Sequence, residues 1–172
     1  GAYPNTCTRE EARSRLNLPK DAFVYLYLGQ IRPYKGVEDL VSAFGQLPPG
    51  NQRLVLAGYV HDAEYAHRLA SSASEQSSIQ THFGYVDDTD VQFYMNASDV
   101  CVLPYRDVTT SGAAILAFSF GQPIIAPAIG AFRELAENGR GITYDPTNAD
   151  ALRLALAGVH SGNLVISGEQ VL

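Results

Sequence analysis

The chain has 172 residues, 46% hydrophobic and 17% charged, with 18 acidic against 12 basic side chains and a net charge of −6. These values describe one globular domain with a sizeable core and exclude collagen-like, disordered and coiled-coil chains. The acidic balance disfavours a general nucleic-acid binder, which carries an excess of Lys and Arg to meet phosphates. Cys7 and Cys101 stand far apart with no second pair. Neither a disulfide scaffold nor a thiolate zinc site is expected, and a reducing compartment is the natural setting.

Short apolar runs alternate with helical patterns from end to end, which marks a βα-repeating fold. Thr8-Arg9-Glu10-Glu11 has the spacing of a capping box and predicts a short helix to about Leu16. Phe23 to Leu28 is uncharged and β-rich, as a central parallel strand buried on both faces should be. Val37, Leu40, Val41, Phe44 and Leu47 then recur at helical spacing, and Pro48-Pro49-Gly50 ends the run. The pattern continues with a strand at Leu54 to Ala57, a helix at Ala63 to Ser74, a strand at Ile79 to Phe83 and a helix at Asp90 to Ala97. A strand at Val100 to Leu103 leads into a helix from about Ser111 to Phe120, then a strand at Ile124 to Ala126. A short helix at Phe132 to Asn138, a strand at Ile142 to Tyr144 and a helix at Ala149 to Val159 complete the series, and the tail from Ser161 carries little signal.

Val108 to Phe132 carries no charge and is long enough to cross a bilayer. Gly121-Gln122-Pro123, Pro127 and Gly130 interrupt it, so it reads as a buried helix, a turn and a buried strand. No transmembrane segment and no signal peptide are expected, and the chain, which opens on Gly1, reads as a cytoplasmic domain and a piece of something longer. The whole of 1–172 is taken as one domain with its core at about 23–160.

Six parallel strands with intervening helices predict an α/β, Rossmann-like three-layer sandwich of order 3-2-1-4-5-6. Ligands of such sheets bind where the loops after the first and fourth strands diverge. Those loops are Gly29-Gln30-Ile31-Arg32-Pro33-Tyr34-Lys35-Gly36 and Pro104 to Gly112. Arg32 and Lys35 point to an anionic ligand, because Arg forks onto phosphate oxygens and Lys supplies a point charge; solvated loop residues are the alternative. Asp107, Thr109, Thr110, Ser111 and Gly112 precede an apolar helix whose first N–H groups attract phosphate, although an ordinary Ser/Thr cap explains the run as well. Cations on one side and donors on the other fit a diphosphate.

No Gly-x-Gly-x-x-Gly follows the first strand and no Gly-x-x-x-x-Gly-Lys-Ser/Thr occurs, which disfavours a dinucleotide cofactor and a nucleoside triphosphatase loop. His61, His67, His82 and His160 lack ligand spacing, so no metal site is expected. Asp87 and Asp88 sit in a turn before a helix, where capping explains them as well as chemistry does. Tyr85, in Gly84-Tyr85-Val86, is placed either to pack on a flat base or to cover core. Glu134 serves helix-start electrostatics first and ligand contact second.

Leu28-Gly29, Lys35-Gly36-Val37-Glu38-Asp39-Leu40, Leu54-Val55-Leu56-Ala57-Gly58, Phe83-Gly84-Tyr85-Val86 and Asp99 to Pro104 recur at intervals that resemble a known family. With Ala117 to Ala126 and Gly130-Ala131-Phe132-Arg133-Glu134, the set is similar to the C-terminal, donor-binding domain of glycosyltransferase family 4, which has the GT-B fold. The resemblance runs from about Phe23 to Val159. It implies a domain that binds a nucleotide-diphosphate sugar, UDP-, GDP- or ADP-linked, for metal-independent, retaining transfer of a hexosyl group, with no cofactor besides the donor. It also implies an N-terminal GT-B domain as partner, and a full-length form working at the inner face of a membrane.

By the same resemblance Lys35 grips the diphosphate, the Tyr85 loop lies against the base, and Ser111 and Gly112 face phosphate. Gln30 occupies the position of the family's arginine, which Arg32 replaces from further along the loop. The family's two glutamates fall on Val108 and Leu116, which accept no side-chain hydrogen bond. Asp107 partly stands in for the first, and nothing nearby replaces the second. Two further readings therefore stay open: a non-catalytic module that kept the fold, and another GT-B activity such as a nucleotide-sugar epimerase, for which no convincing acid/base set is visible.

Overall fold

The computed structural model describes residues 3–107 and 111–163. The first helix, α1 (Arg9–Arg15), opens on the expected capping box: the Thr8 hydroxyl accepts from the Glu11 N–H, and the Glu11 carboxylate accepts from the Thr8 N–H at 2.7 Å. Then follow β1 (Phe23–Leu28), α2 (Val37–Gly45), β2 (Gln52–Gly58), α3 (Ala63–Ser74), β3 (Ile79–Phe83) and α4 (Val91–Ala97). The second half is β4 (Val100–Val102), α5 (Gly112–Ser119), β5 (Ile124–Pro127), α6 (Phe132–Ala136), β6 (Gly141–Tyr144) and α7 (Ala151–His160). Several boundaries move by one or two residues, two of them for plain local reasons. Helix α2 stops at Gly45 rather than Leu47, because Pro48 bars the helical conformation for the residue before it. Strand β2 starts earlier, at Gln52, since Gln52 and Arg53 pair with Phe23 and Val24.

The six strands form one parallel sheet of order β3-β2-β1-β4-β5-β6, as the alternation implies. Strand β1 is its centre, pairing along its whole length with β2, from Phe23–Gln52 to Leu28–Ala57, and with β4 at Tyr25–Val100 and Leu26–Cys101. Val24, Tyr25, Leu26 and Tyr27 are all at most 1% exposed, so both faces of β1 are covered. Tyr25 packs against Phe44 of α2 and donates its hydroxyl to the Leu156 carbonyl of α7 at 2.6 Å, which fixes both helices on one face. Burial pushes the hydroxyls of Tyr25 and Tyr27 well up from their ordinary value.

A buried charge locks the N-terminal end of the sheet. Arg13 on α1 is 2% exposed. It donates to the carbonyls of Ala97, Pro19, Lys20 and Ala22, and to Asp99 Oδ2 at 3.0 Å. Asp99 Oδ2 also accepts the Val24 N–H at 2.7 Å, so α1, β1 and the α4–β4 turn meet on one satisfied ion pair. Both cysteines are free thiols, and Cys101 is buried. From Ser111 onward the uncharged stretch resolves into α5, the turn at Gly121 and β5. Among the described residues no helix is long and apolar enough to cross a membrane.

Candidate functional site

The sheet order changes direction between β1 and β4, and the loops leaving those strands touch. After β1 the chain is pinned at once: the Tyr27 hydroxyl donates to the Gln30 carbonyl at 2.6 Å, and the Ile31 N–H to the Tyr59 carbonyl at 2.9 Å. A 3-10 turn, Pro33–Lys35, follows, and Gly36 at φ 69 starts α2. A β-carbon at Gly36 would run into the Pro104 carbonyl, so the two loops pack backbone to backbone there. The Arg106 N–H donates to the Tyr34 carbonyl at 2.8 Å and closes the contact.

Lys35 is the cation that this geometry presents most sharply. Its ammonium lies 4.0 Å from the centroid of Tyr105 and 5.1 Å from that of Tyr34, positions where the ring faces attract a cation. Tyr105 is buried and packs against Phe132 at 5.5 Å, so the platform under Lys35 is rigid. Among the described residues Lys35 makes no salt bridge, so its charge is not neutralised by a carboxylate. Arg32 is exposed, with Nη2 3.1 Å from His61 Nε2 and Nε 3.4 Å from Gln30 Oε1. Sequence reasoning did not single out Tyr27, Tyr105 or Arg106. Pro104-Tyr105-Arg106 stands at the switch point and was legible as a place, but the contacts of Tyr105 with Lys35 and of Arg106 with Asp39 span more than sixty positions.

Gly29, Gly58 and Gly84 close β1, β2 and β3 with φ of 149, 141 and 144. Among the described residues, chain neighbours aside, no atom lies within 4 Å of where a β-carbon would stand at Gly29 or Gly84, so the backbone there is open to close approach by a ligand. Tyr85, next to Gly84, is 81% exposed, which removes the core-covering alternative for it. On the far lip, Ser111 is buried and its hydroxyl accepts the Ala114 N–H at 3.1 Å. The side chain caps α5, and what the helix start offers outward is the backbone N–H groups of Gly112 and Ala113. Asp107 and Gly112 are exposed; Thr109, Thr110 and Val108 lie outside the described residues. Leu116 is partly buried against the core, and Glu134 is exposed in the first turn of α6. Gly29, Gln30, Arg32, Lys35, Tyr85, Asp107, Gly112 and Glu134 thus all follow strand ends along one edge of the sheet.

A groove between α2 and α7 lies behind this edge, lined among others by Asp39, Tyr105, Arg106, Tyr144 and Leu152; none of the candidate ligand-binding residues lines it. Burial pushes the Tyr105 and Tyr144 hydroxyls upward. Among the described residues no group of three or more His, Cys, Asp or Glu is placed to hold a metal ion.

A doubly wound parallel sheet of this order is Rossmann-like, as in GT-B domains. Residues 8–163 match the family Glycosyl transferases group 1, and the chain belongs to that family. It is 31% identical over 144 residues to D-inositol 3-phosphate glycosyltransferase 1 of Catenulispora acidiphila, covering 76% of this chain and 34% of that protein. It is 28% identical over 102 residues to GDP-mannose:glycolipid 4-beta-D-mannosyltransferase of Xanthomonas campestris pv. campestris, covering 59% of this chain and 29% of that one. HepE of Anabaena, solved in complex with UDP and glucose, superposes with a TM-score of 0.77 at 20% identity, over 90% of this chain and 43% of that one. The chain therefore spans about a third of the length of the curated relatives it matches.

Proposed function

We propose that this chain is the donor-binding domain, of the family 4 kind, of a retaining, metal-independent hexosyltransferase that uses a nucleotide-diphosphate sugar. The observation that carries the reading is the ammonium of Lys35, held over Tyr105 at the switch point and free of any carboxylate partner among the described residues. A glycosyl transfer that releases a nucleoside diphosphate develops negative charge on the leaving phosphate, and a pre-placed cation in a fixed setting stabilises it. Lys35 supplies that charge, Arg32 adds a second from the same loop, and the α5 start brings two N–H donors from the opposite lip. The open backbone at Gly29 gives the phosphates room to approach, and exposed Tyr85 offers a face for the base. The matched relatives are named as glycosyltransferases, one of them for a GDP-mannose donor, and HepE was solved with UDP and glucose.

In this reading 1–172 is a single nucleotide-sugar domain, and the acceptor site belongs to an N-terminal GT-B domain that completes the enzyme. The isolated chain binds donor without turning over. Saturable binding of one among UDP, GDP and ADP in a calorimetric titration, lost in Lys35→Ala, is the expected result. No binding by any of them from a folded chain would defeat the reading.

A second reading, a non-catalytic module, draws on Leu116. At the place where the family's ribose-binding glutamate falls, this chain puts an apolar side chain half-sunk into its own core. Turnover of any nucleotide sugar by the full-length polypeptide would remove that alternative.

A further inference from the structure

Arg106 sits on the β4–α5 loop, directly after the Tyr105 ring that supports Lys35. Its guanidinium makes a two-pronged bond to Asp39, Nε to Oδ2 and Nη2 to Oδ1, each at 3.0 Å, and Nη2 also reaches Glu38 Oε1 at 3.0 Å. Glu38 and Asp39 are in the first turn of α2, three and four residues after Lys35. Asp39 Oδ2 stands 3.6 Å from the place a β-carbon would take on Gly36, the residue next to Lys35. Two carboxylates therefore follow Lys35 within four residues, on the turn of chain next to that cation.

We propose that Arg106 is a positioning residue of the anion site, which ties up Glu38 and Asp39 and offsets one of their two charges, so that Lys35 is left to the phosphates. The inference rests on the reading of Lys35 as the diphosphate grip and adds to it the residue that keeps that grip free. The backbone N–H of residue 106 bonds to Tyr34 whatever side chain it carries, so the loop contact survives removal of the guanidinium. All three side chains are about half exposed, from 46% to 52%. Exposed ion pairs add little to folding stability, so the guanidinium's effect is on the local field. Without it the two carboxylates oppose an incoming diphosphate and compete for Lys35 as intramolecular partners.

The test is calorimetric titration of the 172-residue chain with UDP, GDP and ADP, at low and at high salt. Wild type is compared with Lys35→Ala, Arg106→Ala, and the triple variant Arg106→Ala/Glu38→Gln/Asp39→Asn. Arg106→Ala is expected to weaken the nucleotide that binds by about ten-fold at low salt, with the gap narrowing at high salt as charges are screened. The triple variant is expected to return to within about three-fold of wild type, because the charges that Arg106 held are gone. A merely structural role would leave the triple variant as weak as Arg106→Ala, and that result overturns the proposal. So does unchanged affinity in Arg106→Ala when Lys35→Ala abolishes binding, an outcome that leaves the donor-site reading intact. Failure of wild type to bind any of the three nucleotides would defeat the donor-site reading and the proposal together.

Discussion

Gly36 and Pro104 meet backbone to backbone, and that contact joins the two loops of the candidate site. Gly36 has φ 69, a conformation costly for any residue with a β-carbon, and the added carbon would overlap the Pro104 carbonyl. Gly36→Ala is expected to cost about 2–4 kcal/mol in urea unfolding, from strain and overpacking together. Gly29→Ala, at φ 149 with open space around the site, carries strain alone and is expected to cost about 1–2 kcal/mol. Equal losses in the two variants would show that the close approach at Pro104 contributes nothing.

Lys35→Ala removes the ammonium without touching the core. Nucleoside-diphosphate affinity is expected to drop by about ten-fold or more, as for a hydrogen bond to a charged group worth about 1.5–3 kcal/mol. Tyr105→Leu keeps an apolar side chain at the position but removes the ring face, and about a three-fold loss is expected. Both are read by calorimetry after circular dichroism has confirmed the fold. A larger loss in Tyr105→Leu than in Lys35→Ala would place the phosphates somewhere other than on Lys35.

Asp99 lies at the N-terminal end of β4, at the opposite end of the strand from the candidate site. Asp99→Ala leaves the Arg13 guanidinium buried without its counter-charge, and is expected to destabilise the chain by about 3–5 kcal/mol in urea unfolding. Nucleotide affinity should be unchanged at temperatures where the variant remains folded. A shift of less than about 1 kcal/mol would mean that water or rearranged carbonyls satisfy Arg13 equally well.

Alkali should unfold the protein by a defined route. Burial pushes the Cys101 thiol from its ordinary 9.0 up to about 12, and raises the hydroxyls of Tyr25, Tyr27, Tyr105 and Tyr144 as well. In the unfolded chain these groups ionise at their ordinary values, so the unfolded state releases protons first as pH rises. Their contribution to stability is complete below about pH 9 and is lost as pH climbs toward about 12. Urea midpoints measured from about pH 8 upward should fall steadily. At about pH 8 a thiol reagent should modify half-buried Cys7 in the native chain and reach Cys101 only on unfolding, so rapid labelling of both would contradict the buried setting of Cys101.

Much of the fold was legible from residue pattern. The capping box at Thr8, the uncharged run of β1, the helix Ala63–Ser74 and the strand Ile79–Phe83 all sit where the periodicity and breakers put them. These depend on interactions within a few residues or on one buried face, and both leave a trace in the local sequence. The strand order followed from the alternation, because right-handed crossovers leave few ways to wind six parallel strands. The position of the candidate site followed in turn, since a doubly wound sheet has one switch point.

The roles within that site were not legible in the same way. Arg32 and Lys35 are two cations on one loop, and nothing local says that one lies over a buried ring while the other rests against His61. Ser111 reads equally well as an anion ligand or a cap until its hydroxyl is seen to accept the Ala114 N–H. Arg106 and Arg13 look like ordinary surface charges in the sequence, and their partners Asp39 and Asp99 stand 67 and 86 positions away. The sequence by itself determined the elements, their order and the edge at which a ligand would meet them, because helices, parallel strands and crossovers are set by short-range pattern and chirality. Which side chains are paired, stacked, capped or left free was decided only by the tertiary structure, since a charge is neutralised by what lies within a few ångströms in space, and the chain brings those groups together from its far ends.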